Sequence, residues 1–351
     1  MVDNKKSFGE IFLCIKRKDK LEEFKKTFDL NDTNIEESLV KFAANFYKAP
    51  VVNYKGYIEG KLQADKNRYS ESIAKTLVSE KLVNEWTKLE PVRPNHFDTN
   101  HNPSEYVDIK ALYNTNRKEE ILAKLLFYQG EVKGLGYIFD YQTPLKAVKS
   151  DSYGKIDLLG YNKDDKCFSI IELKYRPSGS DETLLRCVLE AYTYYKLLDL
   201  DQIVSADSHD GISALRALND YDYTKKAELV LLFDEASGTK EDGGEDSNLM
   251  LRVKPKIDSK AIDEEPYPSK TVVSQQYKEC LELIETDKRD SLRTLCETIL
   301  EQEPNLTQIR FVVLRVDSNS KKNHFENITG WDEKLDRLYR AKTLLTIPSK
   351  G

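Results

Sequence analysis

The sequence predicts an α/β (α+β) fold, with a core in the order α-β-β-β-α-β around a mixed sheet and further α/β segments on either side. Three observations carry this. The strand-like runs "GYIFDYQTPLKAV", "GKIDLLGY" and "CFSIIELKY" follow one another across short polar turns. Helical patterns bracket them, "NRKEEILAKLLFYQG" before and "DETLLRCVLEAYTYYKLLDL" after. The apolar run "AELVLLFD" then reads as a further buried strand, which completes a unit of roughly 120 residues.

Taken in order, residues 1–110 read as a mixed α/β region of unassigned role. "EIFLCIKRK" suggests a strand, and "IEESLVKFAANFYKA" puts Leu39, Phe42, Ala43 and Phe46 on one helical face. "YSESIAKTLVSEKLVNEWTKL" reads as one longer helix closed before Pro91. The Pro- and Asn-punctuated "EPVRPNHFDTNHNPSEY" is loop and marks a boundary. The core occupies residues 111–235. Its first helix has Asn116 as candidate N-cap, acids in the first turn and Gly130 at its stop. Residues 236–270, with "EASGTKEDGGEDSNLM", are acidic and poor in apolar side chains, which predicts a flexible insertion. Residues 271–351 supply helices around "QYKECLELIE" and "SLRTLCETIL", the strand "QIRFVVLRVD" and a last helix around "WDEKLDRLYR". This piece is expected to pack on the core and extend its sheet.

Composition narrows the function. In 351 residues, 54 Lys and Arg face 60 Asp and Glu, a net charge of -6, with 39% apolar and 32% charged side chains. That is a globular balance, and it argues against a protein that coats nucleic acid non-specifically while leaving room for a local basic groove. Cys14, Cys167, Cys187, Cys280 and Cys296 form no CxxC pair and no zinc spacing, so they read as reduced thiols of a cytoplasmic protein. His96, His101, His209 and His324 are scattered, and there is no Gly-rich phosphate loop or GxSxG elbow. The first twenty residues contain no long apolar run, and no stretch approaches the ~20 apolar residues of a membrane span. A membrane partner is therefore not expected.

The stretch "KIDLLGYNKDDKCFSIIELK" carries the chemistry. Residues i and i+2 of a strand share a face, so Glu172 and Lys174 point the same way, and antiparallel pairing across "YNKDDK" brings Asp157 beside Glu172. Two carboxylates so placed repel unless a cation lies between them. A hard divalent ion fits: Asp157, Glu172 and the backbone carbonyl of Leu173 would supply its oxygens. Lys174 would act on a water or a phosphate. The competing reading is a hairpin with charges on its rim.

Asp157 followed by Glu172-Leu173-Lys174 on the next strand resembles the PD-(D/E)XK nuclease superfamily, most like its NucS-type and RecB-type domains. The resemblance covers residues 116–235, and Ile156 stands where the name-giving proline would be. It implies a restriction-endonuclease-like core and a metal-dependent nuclease using Mg²⁺ or Mn²⁺. Asp157, Glu172, Lys174 and Glu119 would be catalytic, with Glu120 the alternative to Glu119. "EAYTY", Glu190 to Tyr194, lies where RecB-like members carry Gln-x-x-x-Tyr, so Glu190 and Tyr194 become candidate substrate contacts; Arg176 and Arg186 are candidate phosphate contacts. The expected partner is DNA, with a homodimer or protein contact through residues 1–110. The alternatives are an RNase, or a nucleic-acid-binding or regulatory protein that keeps such a fold without catalysis.

Overall fold

The computed structural model describes residues 42–49, 51–55, 68–92, 107–108, 117–145, 153–176, 180–201, 203, 225–238, 271–285, 289–316, 328–329 and 339–350. The strands, in chain order, are β1 (Val107–Asp108), β2 (Glu131–Val132), β3 (Gly136–Pro144), β4 (Lys155–Asn162), β5 (Cys167–Lys174), β6 (Ala227–Asp234), β7 (Ala236–Gly238), β8 (Thr271–Val273), β9 (Leu306–Val316), β10 (Ile328–Thr329) and β11 (Tyr339–Pro348). The α-helices with both bounds among the described residues are α1 (Tyr69–Ser79), α2 (Lys118–Gln129), α3 (Leu184–Leu197), α4 (Gln275–Glu285) and α5 (Asp290–Gln302). Among the described residues, seven strands form one mixed sheet in the order β11-β9-β6-β5-β4-β3-β2. Strands β2 to β5 run as an antiparallel meander, β6 joins β5 and β9 joins β6 in parallel, and β11 returns antiparallel to β9. Each parallel step needs a helical crossover. Helix α3 serves the first, and α4 and α5 lie between β6 and β9 in the chain.

The central strands are buried along their whole length, as a sheet covered on both faces requires. Alternation along them divides the core in two. Phe168 and Ile170 of β5, with Leu229 and Leu231 of β6, pack beneath α3, α1 and α5 together with Phe42, Phe46 and Trp86. Ile171 and Leu173, with Val230 and Leu232, face Ile121, Leu122, Leu125 and Leu126 of α2. Burial of each of these four α2 side chains contributes roughly 1.5–3 kcal/mol.

The two ends of the sheet are tied to one another. The Ala341 N–H donates to the Lys133 carbonyl at 2.7 Å. Gln129 uses both ends of its amide on Tyr339, donating to its carbonyl at 2.8 Å and accepting from its N–H at 2.7 Å. Gly134 (φ +88°) passes so close to the Ala341 carbonyl that no side chain fits there.

The helix, three strands, helix and strand recur in the predicted order, and β9 and β11 continue the sheet. Several expectations need correction. The single helix expected over "YSESIAKTLVSEKLVNEWTKL" stops at Ser79: Lys81 takes φ +55° and a 3-10 helix, Leu82–Lys88, continues. Helix α2 begins at Lys118 after Arg117, which makes no side-chain cap; Asn116 lies outside the described residues. Helix α3 spans 14 residues rather than about 20. Tyr339 and Arg340, placed at the end of a last helix, begin β11 instead. The expected strand "EIFLCIKRK", the loop from 93 to 106 and residues 239–270 lie outside the described residues. The start of the expected acidic insertion, Ala236–Gly238, pairs with Thr271–Val273.

Candidate active site

The site is built where β4 begins and β5 ends, beside the N-terminal halves of α2 and α3. The last paired positions are Leu158 and Ile171. One step further the ladder stops, and the Asp157 side chain takes over its bonding: Oδ2 accepts the Leu173 N–H at 2.9 Å and Oδ1 accepts from Gln142 Nε2 at 2.9 Å. Asp157 has the parity of Leu159 and Tyr161, and Glu172 and Lys174 have that of Phe168 and Ile170. All three therefore fall on the α3 side of the sheet.

Lys174 is the hub. Its ammonium pairs with Glu172 Oε1, with Glu190 Oε2 of α3 at 3.1 Å and with Glu182 Oε2 at 3.2 Å. Arg186, one helical turn from each, brings Nε to 3.4 Å from Glu182 and 3.8 Å from Glu190. From the opposite face, Glu119 of α2 accepts the Tyr175 N–H at 2.8 Å and so fixes the chain just past Lys174. Glu120 instead pairs with Arg117 on the surface at 3.2 Å. Of the two acids, Glu119 is the one that joins the cluster.

Helix α3 is held in place at its start. Thr183 caps it, its hydroxyl donates to the Val52 carbonyl at 2.7 Å, and the Thr183 N–H donates to Asn53 Oδ1 at 2.7 Å. Glu279 of α4 accepts the Leu184 N–H at 3.0 Å. Behind it lies Arg289, 1% exposed, paired with Glu279 and with Glu71 of α1 at 3.2 Å. Both carboxylates and the guanidinium are buried, so this knot anchors the start of the helix that carries Glu190.

Tyr194 donates its hydroxyl to Glu190 Oε1 at 2.9 Å. The Tyr47 ring meets the Tyr194 ring edge-on at 5.6 Å, and the Tyr47 hydroxyl donates to the Tyr153 carbonyl at 2.8 Å. Gly154 (φ +106°) lies so near that a Cβ there would stand 2.7 Å from the Tyr194 oxygen. Only glycine lets the chain pass that point on its way into β4.

Five carboxylates, of Glu119, Asp157, Glu172, Glu182 and Glu190, thus surround Lys174 and Arg186. Burial pushes the Asp157 carboxyl up to about 8, with Glu119 adding to the shift. Burial, reinforced by Glu190, raises Glu172 well above the usual carboxylate range. Burial also raises Glu119, against the pull of Lys174. Glu190 moves the other way: burial opposes its ionisation, yet Lys174 and Arg186 outweigh it. Burial opposes the Lys174 charge, but Glu172, Glu190, Glu119 and Glu182 together hold it well above the ordinary lysine range. Glu172 Oε2 is buried without a hydrogen-bond partner among the described residues. Among those residues no group of three or more His, Cys, Asp or Glu side chains is arranged to hold a metal ion. The contacts supply a physical reason, since Glu172, Glu182 and Glu190 all turn to the Lys174 ammonium.

Of the expected site residues, Asp157, Glu172, Lys174, Glu119, Glu190, Tyr194 and Arg186 come together. Leu173 lends its N–H to Asp157, while its side chain is packed under α2. Arg176 lies apart, on the surface at 3.4 Å from Asp181. Sequence reasoning missed Glu182, Gln142 and Tyr47. Glu182 stands one turn before Arg186 and Gln142 two positions after Asp140 on a strand, spacings that hold no chemical signal of their own. No helix among the described residues is long and apolar enough to cross a membrane. Compared with family models, with curated proteins and with solved structures, the chain matches none.

Proposed function

We propose that the chain is a metal-dependent nuclease that hydrolyses phosphodiester bonds of DNA, with a restriction-endonuclease-like core formed by α2, β3, β4, β5, α3 and β6. One observation carries this reading. An Asp near the start of β4 and a Glu-x-Lys at the end of β5 share a face, inside a cluster whose carboxylates outnumber its cations five to two. A cluster with that surplus, and with carboxyls pushed toward protonation, is poised to gain from a cation.

The donor set suits a hard divalent ion such as Mg²⁺ or Mn²⁺. It consists of carboxylate oxygens, and Glu172 Oε2 is a buried acceptor with no hydrogen bond of its own among the described residues. Asp157, Glu172 and the Leu173 carbonyl are the residues that would hold the ion. Bound there, a divalent ion would supply Lewis acidity and offset negative charge on a phosphodiester.

The rest is the work of the chain. Gln142 and the Leu173 N–H fix the direction of Asp157. Glu119 fixes the backbone after Lys174. Lys174, held protonated by four acids, cannot serve as a general base at neutral pH; its role is to place positive charge against the phosphate as charge builds there. Glu190, held ionised by Lys174 and Arg186, keeps that ammonium aimed.

The test is digestion of plasmid, single-stranded DNA and RNA with Mg²⁺ or Mn²⁺, with EDTA and an Asp157→Ala variant as controls. Cleavage that needs the ion and Asp157 supports the reading, and inert wild-type protein refutes it. The arrangement of the acids around Lys174, rather than around an open centre, favours a second reading: a nucleic-acid-binding or regulatory protein without catalysis. Binding without cleavage in the same assay would select it.

A further inference from the structure

Resting on the nuclease reading, we propose that the Glu182 carboxylate is a resident stand-in for a substrate phosphate. It occupies an anion subsite formed by Lys174 and Arg186, and a phosphate of the bound strand takes its place when the acid swings out. Glu182 Oε2 bridges the two cations, 3.2 Å from Lys174 Nζ and 3.4 Å from Arg186 Nε. Lys174 comes from the end of β5 and Arg186 from the first turn of α3, so the pair is assembled by the strand and helix that build the site. A gap that holds one anionic oxygen between an ammonium and a guanidinium can hold another.

Of the three carboxylates paired with Lys174, Glu182 is the one that can leave. Glu172 is buried, and Glu190 is held by the Tyr194 hydroxyl at 2.9 Å. The Glu182 side chain keeps 17% exposure, against 2% and 8% for those two. Its pairing is also poorly aimed. Glu182 Oε2 and Arg186 Nε face each other, yet neither has a hydrogen-bond partner among the described residues. Charges that meet off the donor axis forgo much of what a charge-assisted hydrogen bond supplies. The backbone beneath is fixed: the Glu182 carbonyl accepts from Gln276 Nε2 at 2.8 Å, and the next N–H, of Thr183, donates to Asn53 Oδ1 at 2.7 Å. Displacement is thus a rotation of the side chain and needs no shift of α3. A phosphate suits the vacated place, since its tetrahedral oxygens can take the guanidinium along its plane and the ammonium as a point charge.

The experiment uses the full chain in EDTA, so that no strand is cut. Binding of a fluorescein-labelled DNA duplex is followed by anisotropy at one fixed salt concentration. Wild type must displace Glu182 before the phosphate contact forms, so Glu182→Gln and Glu182→Ala should each bind about tenfold more tightly. Loss of simple repulsion between Glu182 and DNA is separated by a double-mutant cycle. In an Arg186→Gln background, Glu182→Gln should gain about threefold or less, because half of the subsite has gone. Unchanged or weaker binding by both Glu182 variants, an equal gain in both backgrounds, or no binding by any of these proteins would overturn the proposal. Cleavage by wild type after addition of Mg²⁺ is read separately. Cleavage with no gain for Glu182→Gln sinks the subsite alone; a gain that depends on Arg186, without any cleavage, sinks the nuclease reading alone.

Discussion

Asp157→Asn tests the electrostatics of the site without any knowledge of its substrate. The Asp157 carboxyl titrates at about 8 in the folded chain because it is buried and faces Glu119, whereas in an unfolded chain it titrates near 4. Its folded pKa is raised, so the folded state keeps a proton that the unfolded state has lost. The stability this gives is complete below the unfolded value and drains away as pH rises through the folded one. Between pH 5 and 8 the loss is about 1.4 kcal/mol per pH unit, hence roughly 4 kcal/mol in all as a ceiling. Asn carries no charge to desolvate. It also fits the bonding: its oxygen can keep the Leu173 N–H, and its amide can donate to Gln142 once that amide turns over. The assay is thermal melting in EDTA from pH 5 to 9 for both proteins. The wild type should lose stability with rising pH more steeply than Asp157→Asn, and the variant should be the more stable of the two above pH 8. A difference of about 2 kcal/mol, or roughly 3 °C in a chain of this size, would meet the expectation. Parallel profiles would refute the argument, because they would mean that Asp157 ionises as freely folded as unfolded.

Two further outcomes follow from particular contacts. Lys174→Ala should leave Mn²⁺ binding intact or tighten it, by removing a positive charge from among the acids, while cleavage falls by about two to three decades; calorimetric titration beside a plasmid assay separates the two, and wild-type cleavage by the variant would reduce Lys174 to a structural cation. Arg289→Ala should destabilise the chain by about 3–5 kcal/mol in urea denaturation, because it strands Glu71 and Glu279 without their cation; a loss below about 1 kcal/mol would show that water or another cation takes its place.

The parts legible in the sequence were those with a short-range signature. The alternation of "GKIDLLGY" and "CFSIIELKY", joined by a four-residue polar turn, sets both the pairing and the shared face of Asp157, Glu172 and Lys174. The family resemblance asks for an acid on the helix before the strands, and the pattern of α2, with acids first and Gly130 last, narrows it to Glu119 or Glu120. What escaped depends on distant partners. "YRAKTLLTIP" has mixed polarity and becomes a strand because β9 offers it a long edge to pair with, so Tyr339 and Arg340 open a strand where the sequence suggested a helix end; residues 331–338 of that expected helix lie outside the described residues. The break at Lys81 has no glycine or proline to announce it. Tyr47 reaches the site only through packing on α3, across a sequence separation that no local pattern spans.

The ties between the two ends of the sheet bear on how the chain folds. Gln129 and Tyr339 are 210 positions apart, and Lys133 bonds to Ala341 across a similar span. A loop of that length closes against a large entropic cost that no nearby contact offsets. The α2-to-β5 meander can form from neighbours in sequence, and β6 joins it after one crossover. The closing contacts must wait until residues near 340 are available and β9 is in place. Folding is therefore expected to end slowly, with a long-lived intermediate in which the β2 end of the sheet is still open and its backbone donors and acceptors are exposed to other chains.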